Sequence, residues 1–181
     1  EMCIRDSFVV RALSSLSEVA TMEDYLRWMS NVVIDSQGGH IQPLFGIGLE
    51  KSLPESFVDN LPGYRGMGPV RVGNQAQEHF QHDVYGNVIL GAAQAFHDHR
   101  LLHRAGAREF RALERVGEQA VRVFDQPDAG MWELRTRARI HTSSAIMSWA
   151  ACDRLAKIAA TLKLPAVSYT HLRAHETKAN L

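Results

Sequence analysis

Residues 107–124 read AREFRALERVGEQAVRVF. Phe110, Leu113, Val116, Ala120 and Phe124 fall on one stripe at helical spacing, and Arg108, Arg111, Glu114, Arg115, Glu118 and Arg122 lie mostly off it. An apolar stripe with a charged back lets a helix bury one face and wet the other. The spacing predicts an outward-facing amphipathic helix from about Ala107 to Phe124.

The same reading extends in both directions. Downstream, a loop covers Asp125 to His141, and Thr142 is a good N-cap for a helix running to about Leu162. From Ala145 to Cys152 that helix is apolar almost all round, which predicts burial on several sides. Upstream, Phe80, Val84, Val88 and Ala92 repeat every four residues and predict a helix from about Glu78 to Leu102. Two more helices are predicted, at about Ser7 to Leu16 and from Thr21 to near Asp35. In the second, Thr21 and Asp24 resemble a capping box, and Gly38 and Gly39 stop it. Between these pairs, residues 37–78 hold eight of the thirteen glycines and four of the six prolines. Phe45, Ile47, Phe57 and Tyr64 argue for an ordered excursion there, with short helical turns, over one face of the domain. No convincing alternating strand appears, although Leu134 to Ile140 alternates loosely. The predicted class is all-α, built from antiparallel helical hairpins; a bundle, a solenoid and a closed toroid all remain open to this pattern.

The whole chain sets further bounds. Its 181 residues are enough for one domain with a substantial core. Lys+Arg and Asp+Glu balance at 20 each, which leaves no basic footprint for nucleic acid and no polybasic membrane anchor. A neutral substrate such as a sugar fits this balance. No stretch reaches the roughly 20 apolar residues of a membrane span. Two cysteines, Cys3 and Cys152, make no disulfide framework; Cys152 reads as a small buried thiol and favours a reducing, cytoplasmic compartment. The chain begins at Glu1 and not at Met, which reads as a start other than the natural one. Residues 167–177 resemble translated sequencing-adapter sequence, and Glu1 to Ser7 resemble its counterpart. On this reading residues 1–7 and 166–181 are non-native, and 8–165 form the domain.

Candidate chemistry centres on Glu133, in the loop run Asp128-Ala129-Gly130-Met131-Trp132-Glu133-Leu134-Arg135. A carboxyl packed beside an indole is partly desolvated, which favours its protonated form near neutral pH, as a general acid needs. Trp132 would also offer a flat face to a sugar ring. The alternative is a loop carboxylate paired with Arg135 or Arg137. In Gln81-His82-Asp83-Val84-Tyr85-Gly86, Gln81 and Asp83 suit hydrogen bonding to sugar hydroxyls from the first turns of a helix, or else serve as capping groups. His79 with Asp83, His99 with His103, and His171 with His175 have the four-residue spacing of metal ligands but lack a third ligand, so a solvated face is the reading and no metal or cofactor is expected. Ser143 and Ser144 open a helix and read as capping.

Three separated runs then act together: residues 61–74 (LPGYRGMGPVRVGN), Gln81 to Gly86, and Gly130 to Arg135 followed by Ser148-Trp149-Ala150 and Asp153-Arg154. In this order, with Met22 to Trp28 also fitting, they resemble glycoside hydrolase family 15, the glucoamylase and bacterial trehalase-like enzymes, over about residues 8–165. The resemblance implies a toroid of six helical hairpins, of which this chain would hold about five of twelve helices. It implies inverting hydrolysis of an α-glucosidic bond in trehalose or a malto-oligosaccharide or starch-like chain. Glu133 would be the general acid, Trp132 would line the sugar subsite, Gln81 and Asp83 would lie near the substrate, and Tyr64 and Arg65 would border the pocket. Arg5-Asp6-Ser7 resembles a sugar-binding motif, one residue short of its expected place, which makes Arg5 and Asp6 candidates. An inverting enzyme also needs a second carboxylate about 6.5–9.5 Å from the first; in the family it lies far downstream, so the chain is expected to be inactive and poorly stable alone. A non-catalytic helical carbohydrate-binding or scaffold protein, and an unrelated helical interaction module, are the competing readings.

Overall fold

A computed structural model describes residues 2–3, 7–37 and 39–164. The helices are α1 (Ser7–Ser15), α2 (Val19–Ser36), α3 (Asp83–Ala92), α4 (Gln94–His97), α5 (Ala107–Val123) and α6 (Thr142–Thr161). Four two-residue strands pair antiparallel: β1 (Met2–Cys3) with β2 (Leu44–Phe45), and β3 (Ser56–Phe57) with β4 (Arg71–Val72). Pairs this short pin loops and build no layer, so the fold is all-α. No helix among the described residues is long and apolar enough to cross a membrane.

Four of the five stripe residues of α5 are buried as the spacing predicts, Phe110, Leu113, Val116 and Ala120, whereas Phe124, just past the helix end, is only partly buried. Its N-terminus is closed by Glu109, whose carboxylate accepts the Gly106 N–H at 2.9 Å. The central helix is α3, which packs on α6, α5, α1 and α2. Val84, Tyr85, Val88 and Ile89 are buried around its whole girth, as a helix covered on all sides requires. Where α3 meets α6 the side chain at 86 is only a hydrogen: a Cβ on Gly86 would lie 2.3 Å from the Met147 carbonyl oxygen. Cys152 is buried, as expected. Ala145, Ser148, Ala151 and Cys152 are buried against neighbours, whereas Ile146 is 46% exposed, so the 145–152 stretch is covered on fewer sides than its composition predicts.

The helix predicted over 78–102 is shorter and later. Glu78 ends a 3₁₀ turn (Gln75–Glu78), His79 is extended, and regular helix begins only at Asp83. Backbone bonds that a continuous helix would use internally go to a distant loop instead: Ala129 N–H donates to the Phe80 carbonyl, and His82 N–H donates to Asp128. At the other end Asp98 accepts from the Arg100 backbone and guanidinium and from Gln94 Nε2, which draws the chain out of the helix after His97. Neither His79/Asp83 nor His99/His103 therefore shares a helical face. The caps differ too: Thr21 lies inside α2, which starts at Val19 behind Glu18, and Thr142 is the first residue of α6, behind His141. Gly38 lies outside the described residues. The 37–78 excursion is ordered between the two strand pairs and carries two 3₁₀ turns, Tyr64–Gly66 and Gln75–Glu78.

Candidate active site

After α5 the chain turns and pairs Asp128 with Arg139 in both directions, N–H to carbonyl, at 2.9 and 3.0 Å. Those two residues form the neck of a loop, and Glu133 sits in its outer turn. Gly130 opens that turn at φ +65, and a Cβ there would come within 2.7 Å of the His141 imidazole. Glu133 N–H donates to the Gly130 carbonyl and Leu134 N–H to the Ala129 carbonyl, each at 3.1 Å. Glu133 itself has φ +55, the left-handed region that a side chain disfavours. Such strain is found where something other than local preference fixes the backbone.

Trp132 is 78% exposed and Glu133 partly buried. An indole that open removes little water from the neighbouring carboxyl, so the desolvation expected from the sequence is not supplied by Trp132 within the described residues. The alternative pairing with Arg135 fares differently. Arg135 spends its guanidinium on Glu55, at 2.7 and 3.2 Å, and on Gln75 Oε1, at 2.8 Å. That hydrogen bond, with the Gln75 N–H, holds the Glu55 carboxyl below its ordinary value and pushes the Arg135 guanidinium up, with Glu133 adding only a minor through-space effect.

Inside the domain, Asp128 is 1% exposed. Its Oδ2 accepts the His82 N–H at 2.7 Å and the Ser144 hydroxyl at 2.8 Å, and its Oδ1 lies 3.9 Å from His141 Nε2. Ser144, which reads as a capping residue, thus donates into the site. Gln81 is 1% exposed, and neither atom of its side-chain amide makes a hydrogen bond among the described residues. A buried amide left in that condition carries a desolvation penalty that a polyhydroxylated ligand would relieve. Asp83, 3% exposed, opens α3 and accepts from Asn87 Nδ2 at 3.2 Å.

The structure therefore brings two of the sequence runs together, 80–83 and 128–134, by named hydrogen bonds. The third is joined through Glu55, whose carboxylate meets Arg71 at 3.5 Å as well as Arg135. Tyr64 and Arg65 lie farther out along the β3–β4 loop, with Tyr64 73% exposed and the Arg65 guanidinium 5.3 Å from its ring. Arg5 and Asp6, like His171 and His175, lie outside the described residues. No group of three potential metal ligands occurs among the described residues. Asp128, His141 and Glu55 do not stand out as functional residues in the sequence, and Ser144 stands out only as a capping residue. The available signal was Asp128 itself, an acidic residue between Pro127 and the turn glycine Gly130.

The sequence matches Glycosyl hydrolases family 15 over residues 3–178. It is 34% identical over 165 residues to a trehalase of Mycobacterium tuberculosis, covering 86% of this chain and 23% of that protein. With a trehalase of Thermoplasma volcanium it shares 31% identity over 168 residues, 90% of this chain and 25% of the relative. With trehalase 1 of Sulfolobus acidocaldarius it shares 28% over 156 residues, 86% and 28% respectively. The chain spans about a quarter of the length of the curated relatives it matches. No solved structure matches it.

Proposed function

The chain belongs to glycosyl hydrolases family 15, and on that footing we propose that it carries the acid half of an inverting hydrolase of α-glucosidic bonds. Glu133 donates a proton to the glycosidic oxygen as its bond to the anomeric carbon breaks. A water molecule, deprotonated by a second carboxylate, adds to that carbon from the opposite face. We place this second carboxylate outside these 181 residues, in a parent enzyme whose helical hairpins close into a toroid. The open indole face of Trp132 stacks on a sugar ring, and the amide of Gln81, with Asp83 beside it, bonds to sugar hydroxyls. Tyr64 and Arg65 border the pocket, and Arg5 and Asp6 complete the sugar contacts. Trehalose is the favoured substrate, because the relatives carry that activity in their names, with malto-oligosaccharides second. The buried thiol of Cys152 suits a reducing, cytoplasmic setting.

The observation that carries this reading is the tie between the two runs: the Glu133 loop is hydrogen-bonded at its neck to Phe80 and His82, the residues flanking Gln81. The test is Glu133→Gln in the full-length enzyme. Glucose release from trehalose should fall by at least about 10²-fold, the share a general acid ordinarily supplies; undiminished turnover refutes the role. The 181-residue chain should release no glucose. Calorimetry of that chain with trehalose, maltose and glucose reports whether the sugar contacts act without chemistry.

A further inference from the structure

Asp128 is neither the candidate acid nor one of the candidate sugar contacts, yet three segments converge on it. Its backbone closes the neck of the loop against Arg139. Its side chain reaches His82 N–H, on the approach to α3, and the Ser144 hydroxyl, in the first turn of α6. The carboxylate and both residues its side chain reaches are buried: Asp128 at 1%, Ser144 at 2% and His82 at 6% exposure. A carboxylate enclosed in this way, with both bonds on one oxygen, has little freedom to drift.

Its position is passed on to Glu133 by a short covalent and hydrogen-bonded route. Ala129 follows Asp128, donates to the Phe80 carbonyl and accepts from Leu134 N–H; Gly130 accepts from Glu133 N–H. The turn that results holds Glu133 at φ +55, which it would not choose on its own. Something must impose that conformation, and the buried attachment of the neck is the nearest rigid part of the fold. We infer that Asp128 is a positioning residue for Glu133: it locks the loop onto α3 and α6 so that the carboxyl of Glu133 meets the glycosidic oxygen. The inference rests on the proposed role of Glu133 as the general acid.

Two substrates separate positioning from mere folding. Trehalose has an alkoxide leaving group that must be protonated. α-D-Glucosyl fluoride loses fluoride, which needs little help from an acid. A displaced acid therefore slows the first and spares the second, whereas a loss of folded enzyme slows both by the same factor. In the full-length enzyme, Asp128→Ala should lower kcat for trehalose by about 10²-fold, the penalty of roughly 1 Å of misplacement, with glucosyl fluoride hydrolysis changed only a few-fold and KM steady. Asp128→Asn, whose carbonyl oxygen still accepts both donors, should recover most of the loss. Ser144→Ala removes one donor and should show the same selectivity to a smaller degree; it decides the question if Asp128→Ala does not fold. Equal losses on both substrates, or no loss on either, overturn the inference. Glu133→Gln is the separate control. If it is selective and Asp128→Ala is not, positioning fails while the acid role stands. If Glu133→Gln is itself unselective, the acid role fails and the inference falls with it.

Discussion

Asp128 and Glu55 both fasten the loop that carries Glu133, one from inside the domain and the other from its surface. Asp128 works without solvent: its bonds are to a backbone N–H and a hydroxyl, and nothing competes for them. Glu55 works in water, gathering the charged Arg135 and the Gln75 N–H, with Arg135 about half exposed. The exposed clasp has more hydrogen bonds and full charges, but water and salt weaken each of them. The buried clasp has fewer bonds, yet losing its acceptor strands polar groups where no water can replace it. The number of bonds is thus a poor guide to which attachment governs the loop; their surroundings decide.

The sharpest way to break this comparison is Asp128→Ala. It leaves the His82 N–H and the Ser144 hydroxyl buried without their acceptor, and chemical denaturation should register a loss of about 2–4 kcal/mol. The loss should be insensitive to ionic strength. A smaller change with the opposite sign is expected from Glu133→Gly, which removes a side chain from a left-handed residue. Its melting curve should report a gain of about 1 kcal/mol, and no gain would mean that the turn is not strained against its anchors. The smallest effect should come from Glu55→Gln. Because Arg135 depresses the Glu55 carboxyl from its ordinary value of 4.5, the stabilisation is fully present above that pH and fades as the pH falls through the lower folded value. The difference between wild type and Glu55→Gln should therefore shrink in acid and in molar salt. A difference that persists in both would make the outer clasp equivalent to the inner one.

What could be read from the chain divides along the same line. The α5 stripe and the outline of α6 follow from spacing within a helix, and Glu133 with Trp132, Gln81 and Asp83 stood out as residue types in recognisable runs. What could not be read depends on partners far apart in sequence. The helix predicted from Glu78 starts at Asp83 because a carboxylate 46 residues away takes the His82 N–H. Ser144 looks like a cap until its hydroxyl is seen on Asp128. The covering of Trp132 is likewise not a local property: within the described residues the indole is 78% exposed. Local pattern decides which segments coil; where each coil begins, and which polar side chain matters, is settled by contacts that no window of sequence contains.

Gly86 gives the inner clasp its dimensions. His82 stands four residues before it on one wall, and Ser144 stands three residues before Met147 on the other, whose carbonyl presses against the bare α-carbon. The gap across which Asp128 must touch both walls is therefore gauged by an absent methyl group, a full helical turn from the carboxylate. With any larger residue at 86 the walls would part, and Asp128 could keep hold of one donor only.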